Sequence, residues 1–103
     1  MLKITKDNFK AEVEECEKLV VIDLYADWCG PCKMLAPIIA ELAEEMTDVK
    51  FGKINVDEEA ELARAFKVSS IPMVALVKDN VLLDIFVGYM PKEKLSEFIS
   101  EYR

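Results

Sequence analysis

Hydrophobic residues alternate between two spacings along this chain, and the change from one to the other marks out its elements. Leu19-Val20-Val21-Ile22-Asp23-Leu24-Tyr25 is almost unbroken apolar sequence, the pattern of a central strand covered on both faces. Leu35, Ile38, Ile39, Leu42, Ala43 and Met46 then recur at helical spacing opposite Glu41, Glu44 and Glu45. This predicts a long amphipathic helix that begins near Pro31, where a missing N–H costs nothing. Pro37 lies inside it and predicts a kink. Before the central strand, Leu2 to Ile4 predicts a short first strand. A helix should open near Thr5 or Asp7, with Phe9, Val13 and Cys16 on one face.

After the long helix, Val49 to Val56 predicts a third strand, Glu58 to Phe66 a short helix and Ile71 to Val77 a fourth strand. Asp79-Asn80 is a turn signal joining that strand to Val81 through Val87 in an antiparallel hairpin. Gly88 ends the hairpin, and Pro91 starts a last helix carrying Leu95, Phe98, Ile99 and Tyr102 inward. The order is β-α-β-α-β-α-β-β-α, without linker or repeat. It predicts an α/β fold in which a mixed sheet of about five strands carries four helices on its two faces.

With 103 residues the chain is expected to form a single domain, residues 1–103, that buries roughly two-thirds of its unfolded surface. The net charge is −7, from 13 basic and 20 acidic residues, with no basic cluster, which argues against a nucleic-acid partner. Met1 to Lys6 lacks the apolar core of a signal peptide, and no stretch approaches the roughly 18 apolar residues that span a bilayer. A cytoplasmic location and no membrane partner are therefore expected. Three cysteines do not make a disulfide-stapled secreted domain, and a reducing compartment suits a catalytic pair.

Two of those cysteines, in Trp28-Cys29-Gly30-Pro31-Cys32, stand where the strand pattern gives way to the helix pattern. Residues i and i+3 at a helix start lie about 5–6 Å apart at Cβ, and a disulfide needs about 3.5–4.5 Å. A small adjustment makes or breaks the bond. Unpaired N–H groups and the helix dipole favour a thiolate at the first of the two, Cys29. Cys32, a turn inside the helix, should be the more buried. Cys29 is then the attacking nucleophile and Cys32 the resolving thiol. Half a zinc site is the first alternative, but zinc takes four ligands, and the chain has three cysteines and no histidine. A static structural bridge is the second, and so short a loop would stabilise little. A C-x-x-C inside a β-α-β pattern favours redox chemistry. Cys16, spaced with Phe9 and Val13, reads as a small core hydrophobe rather than a regulatory thiol.

Trp28-Cys29-Gly30-Pro31-Cys32-Lys33, preceded by Asp23 and followed by Pro37, Lys53, Ile71-Pro72 and Gly88, resembles the thioredoxin family over essentially the whole chain. Gly30-Pro31 between the cysteines is similar to the reducing members. The resemblance implies the thioredoxin fold and protein-disulfide reductase activity. It implies no bound cofactor beyond the Cys29–Cys32 disulfide and no metal. The implied partners are protein disulfides and a thioredoxin reductase, fed by NADPH through a flavin or linked to ferredoxin, and the chain is expected to act as a monomer. No G-x-G-x-x-G run offers a cofactor site of its own.

Asp23 is an acid within an apolar strand, where burial raises its pKa toward a range useful for proton transfer. The resemblance implies that it takes the proton of Cys32 through water, with Lys53 nearby; a purely structural Asp23–Lys53 pair is the alternative. It also implies a cis bond before Pro72, which on its own could simply begin a strand, and a free backbone at Ile71 for an extended substrate. Trp28, Gly30, Pro31, Ile71, Pro72, Gly88 and Tyr89 are expected to form a flat apolar rim around Cys29. Lys33 reads as a solvated helix residue. Three positions depart from the family pattern: Tyr25 where many members have tryptophan, Asp79-Asn80 in the hairpin turn, and Ser69-Ser70 and Met73 around Ile71-Pro72. Two rivals remain: a dithiol oxidase or isomerase on the same fold, and a binding or assembly subunit that uses the docking surface.

Overall fold

The computed structural model describes residues 1–103, in which β1 (Leu2–Lys3), β2 (Val20–Tyr25), β3 (Lys50–Asn55), β4 (Met73–Lys78) and β5 (Val81–Val87) form one sheet in the order β1-β3-β2-β4-β5. β1 and β2 both run parallel to β3, whereas β4 is antiparallel to β2 and to β5. The parallel step from β2 to β3 needs a crossover, and α1 (Gly30–Glu45) supplies it. α2 (Ala60–Ala65) precedes β4 and α3 (Lys92–Ser100) closes the chain. No helix is long and apolar enough to cross a membrane.

Alternation along β2 divides the core in two. Val21 points to a cluster with Leu35, Ile39 and Leu42 of α1 and Leu95 and Ile99 of α3. Val20, Ile22 and Leu24 point the other way, to Val13, Ile54 and Leu62. Both faces of β2 are therefore buried, which is why its sequence reads as a continuous apolar run. Each such side chain contributes about 1.5–3 kcal/mol. Asp23 follows Val21 on the α1 face, so its carboxyl is directed beneath the first turn of α1.

Where the elements differ from the sequence expectation, local polar groups are the cause. The helix expected from Thr5 or Asp7 is a short π turn, Lys10–Glu14, closed by the Glu15 N–H on the Lys10 carbonyl. Thr5 and Asn8 cap the turn that leads into it, each accepting the other's backbone N–H through its side chain. Cys16 follows the turn, half-buried, and still packs beside Phe9 against the second cluster. α2 begins at Ala60 rather than Glu58 because Asn55 Oδ1 accepts the N–H groups of Asp57 and Glu58 and holds them in a turn. β4 begins at Met73 rather than Ile71, since Pro72 has no N–H to give a ladder. α1 continues through Pro37, whose ring lies on the exposed face. Asp79 and Asn80 both take positive φ, 51° and 61°, as a two-residue hairpin turn requires.

Candidate active site

β2 ends at Tyr25, the chain turns through Ala26 to Trp28, and α1 begins at Gly30, which makes Cys29 the N-cap residue. Its Sγ accepts the backbone N–H of Cys32 at 3.2 Å, one of the donors a helix start leaves unpaired. Pro31, in the first turn, has no such donor to satisfy. Cys29 and Cys32 are joined by a disulfide with Cα atoms 5.2 Å apart, inside the usual range. The expected difference in burial between them is not found: Cys29 is 4% exposed and Cys32 3%. The bond draws both sulfurs against Ala26, with Tyr25, Val56 and Ile71 packed around them.

What separates the two cysteines is the side from which each is reached. Cys29 lines an outer hollow with Trp28, Gly30, Pro31, Ser69, Ser70 and Ile71. Cys32 lines a different cleft, of about 340 Å³, which runs beneath the start of α1 to Asp23 and Lys53. Cys29 thus borders the outward hollow, and Cys32 shares its cleft with the buried acid.

Of the expected rim, the outer hollow brings together Trp28, Gly30, Pro31 and Ile71. The Ile71–Pro72 bond is cis. Pro72 is buried, and its carbonyl accepts the Gly88 N–H at 2.8 Å, fastening the end of β5 to this loop. Gly88 sits at φ 102°, where a side chain is strained. Gly88 and Tyr89 do not line the hollow; they adjoin it through Pro72, with Tyr89 exposed. Ile71 makes no backbone hydrogen bond within the chain, leaving a donor and an acceptor at the edge of the hollow.

Trp28 is 71% exposed, so it is not core. Its indole Nε1–H donates to Asp57 Oδ2 at 2.9 Å, which fixes the ring beside Cys29. Asp57 is a neighbour of the site that the sequence does not single out. Its signal was Asn55, a 3% exposed asparagine at the end of β3 whose side chain folds the next residues back.

Asp23 is 3% exposed, and its Oδ1 has no hydrogen-bond partner. Burial pushes its carboxyl up to about 7, against a smaller downward pull from Lys53. Lys53 is its register partner on β3, half-buried and lining the same cleft. Lys33 is exposed, as expected, and also borders the cleft. An acid with a pKa near neutrality, on a cleft that it shares with Cys32 and that Asp27, Lys33 and Lys53 also border, can exchange protons with a thiol there through water.

A protein-family model described as Thioredoxin matches residues 1–101. The chain is 43% identical over 103 residues to a thioredoxin of Bacillus subtilis, covering 99% of this chain and 97% of that one. It is 44% identical over 101 residues to a thioredoxin of Listeria monocytogenes, covering 97% and 96%. Over 99 residues it is 41% identical to a thioredoxin of Chlamydia pneumoniae, covering 96% and 95%. Likeness of this extent, on a fold that sets a Cys29–Cys32 disulfide at a strand-to-helix turn, makes the chain a member of the thioredoxin family, a protein-disulfide oxidoreductase that exchanges thiols and disulfides through that pair.

Proposed function

We propose that this protein is a general protein-disulfide reductase in which Cys29 attacks and Cys32 resolves. The observation that carries the assignment is the two-sided placement of the pair: Cys29 on the outer hollow, Cys32 on the cleft that leads to Asp23. In the reduced protein the start of α1 favours a thiolate at Cys29, through its free N–H groups and dipole. That thiolate attacks one sulfur of a substrate disulfide, forms a mixed disulfide and expels the other sulfur as the first substrate thiolate. Asp23 then takes the Cys32 proton by way of water in the cleft. The Cys32 thiolate attacks Cys29 Sγ, restores the Cys29–Cys32 bond and releases the second substrate thiol. Two electrons pass to the substrate.

Trp28, Gly30, Pro31, Ile71, Pro72, Gly88 and Tyr89 supply the docking rim. The apolar surface of Trp28 and the unpaired backbone of Ile71 suit an extended segment of many different proteins. Lys53 moderates the charge of Asp23. A thioredoxin reductase returns the pair to the dithiol, and the work is done by a monomeric single domain in a reducing cytoplasm.

Titration of the Cys29–Cys32 couple against a glutathione buffer tests the direction of this chemistry. A potential below the cytosolic poise of about −220 to −260 mV supports a reductant, and one at or above about −180 mV makes the protein an oxidase or isomerase.

A further inference from the structure

Asp23 and Lys53 are paired in register on the adjacent parallel strands β2 and β3, with opposite charges on one face of the sheet. Neighbouring strands lie about 4.8 Å apart, a spacing at which such a pair ordinarily closes. Here it stays open. No ion pair within 4.0 Å joins them, and Asp23 Oδ1 has no partner at all. The Lys53 ammonium lies instead over the ring of Tyr25, 5.6 Å from its centroid and inside cation–π range. Tyr25 is two residues beyond Asp23 on β2, so its side chain leaves the sheet on the same face. It also lines the same cleft.

We propose that Tyr25 is a positioning residue for Asp23: its ring holds the Lys53 ammonium at the mouth of the cleft and keeps it from closing an ion pair on the carboxyl. The physical balance favours this arrangement. An ion pair would strip water from the ammonium beside an already buried carboxylate, whereas the half-exposed ring leaves part of the hydration shell in place. An open pair also leaves Asp23 free to meet water rather than an ammonium, as a proton acceptor must. Closing it would favour the ionised carboxylate and weaken it as a base. The other titratable or charged groups around the cleft are Asp27 from the β2–α1 loop, Cys32 and Lys33 from α1, and the amino end at Met1; β4 presents only Val74 opposite Asp23. The inference rests on the reading of Asp23 as the proton acceptor of Cys32.

The test is an NMR titration of the Asp23 side-chain carboxyl in the oxidised protein, where Cys29 and Cys32 do not titrate. Tyr25→Leu should lower its midpoint by about one pH unit, while Tyr25→Phe and Tyr25→Trp leave it in place. Lys53→Met alone should raise the midpoint, and adding Tyr25→Leu to it should produce no fall. An unmoved midpoint in Tyr25→Leu, or an equal fall without Lys53, overturns the proposal. Should Tyr25→Leu not fold, the Lys53 Hε protons of the unaltered protein decide. Ring current over Tyr25 moves them upfield, and ordinary positions would overturn the proposal. Resolution kinetics of Asp23→Asn keep the two claims apart: an undiminished rate removes Asp23 from the chemistry, whatever the titration says of Tyr25.

Discussion

Asp23 and Cys32 face one cleft from opposite walls, the acid from the middle of the sheet and the thiol from the first turn of α1. The acid is the costly half of this arrangement. An ordinary carboxyl in its place would lose its proton at 3.8, and burial moves that to about 7. Between those values the folded chain holds a proton that the unfolded chain has released, so stability falls as pH rises through this window. Above it the full cost is in place, about 4 kcal/mol for a shift of this size. Asp23→Asn should therefore stabilise the oxidised protein by up to that amount at alkaline pH and by little below about pH 4. Urea unfolding at the two ends of the range measures it; a gain independent of pH would contradict the account.

The same substitution should slow the chemistry that the cost maintains. With the acceptor gone, release of the second substrate thiol should slow by up to about 100-fold, the lower end of what a positioned base contributes. Its rate should also lose the inflection near neutral pH. Attack by Cys29, read separately in a single turnover, should be nearly unchanged. Equal slowing of both steps would mean that Asp23 supports the fold and not the proton transfer.

Asp57 offers a test of the docking rim that leaves the sulfurs alone. Asp57→Ala removes the acceptor of the Trp28 indole and frees the ring. A lost hydrogen bond of about 1 kcal/mol corresponds to about a fivefold fall in kcat/KM toward protein disulfides. The reduction potential and the unfolding midpoint should barely move. Trp28 fluorescence anisotropy should drop alongside the activity, and a normal anisotropy with normal kcat/KM would show that the ring needs no anchor.

The chemistry lay nearer the surface of the sequence than the scaffold around it. A C-x-x-C at the change from strand to helix periodicity placed Cys29 at the start of α1, and an acid inside an apolar run placed Asp23 in the core. Both follow from local pattern. The Thr5–Asn8 exchange and the π turn after it were not legible, because Phe9 and Val13 have the spacing of an ordinary helix and the side-chain bonds that decide otherwise leave no periodicity. Asp57 was missed for a similar reason. Its role depends on a turn imposed by Asn55 and on the approach of Trp28 from 29 residues away. The distinction between the cysteines was expected as a difference in burial and is instead a difference in direction, which only the packing of α1 over β2 and β3 defines.

The central claim is the order of attack, and trapping the mixed disulfide tests it most directly. Oxidised substrate protein mixed with reduced Cys32→Ser should accumulate a covalent adduct through Cys29, visible by intact mass and abolished by reductant. Reduced Cys29→Ser should give almost none, because Cys32 faces the inner cleft. A stable adduct through Cys32 in Cys29→Ser, formed as fast as that through Cys29, would contradict the assignment of the two roles.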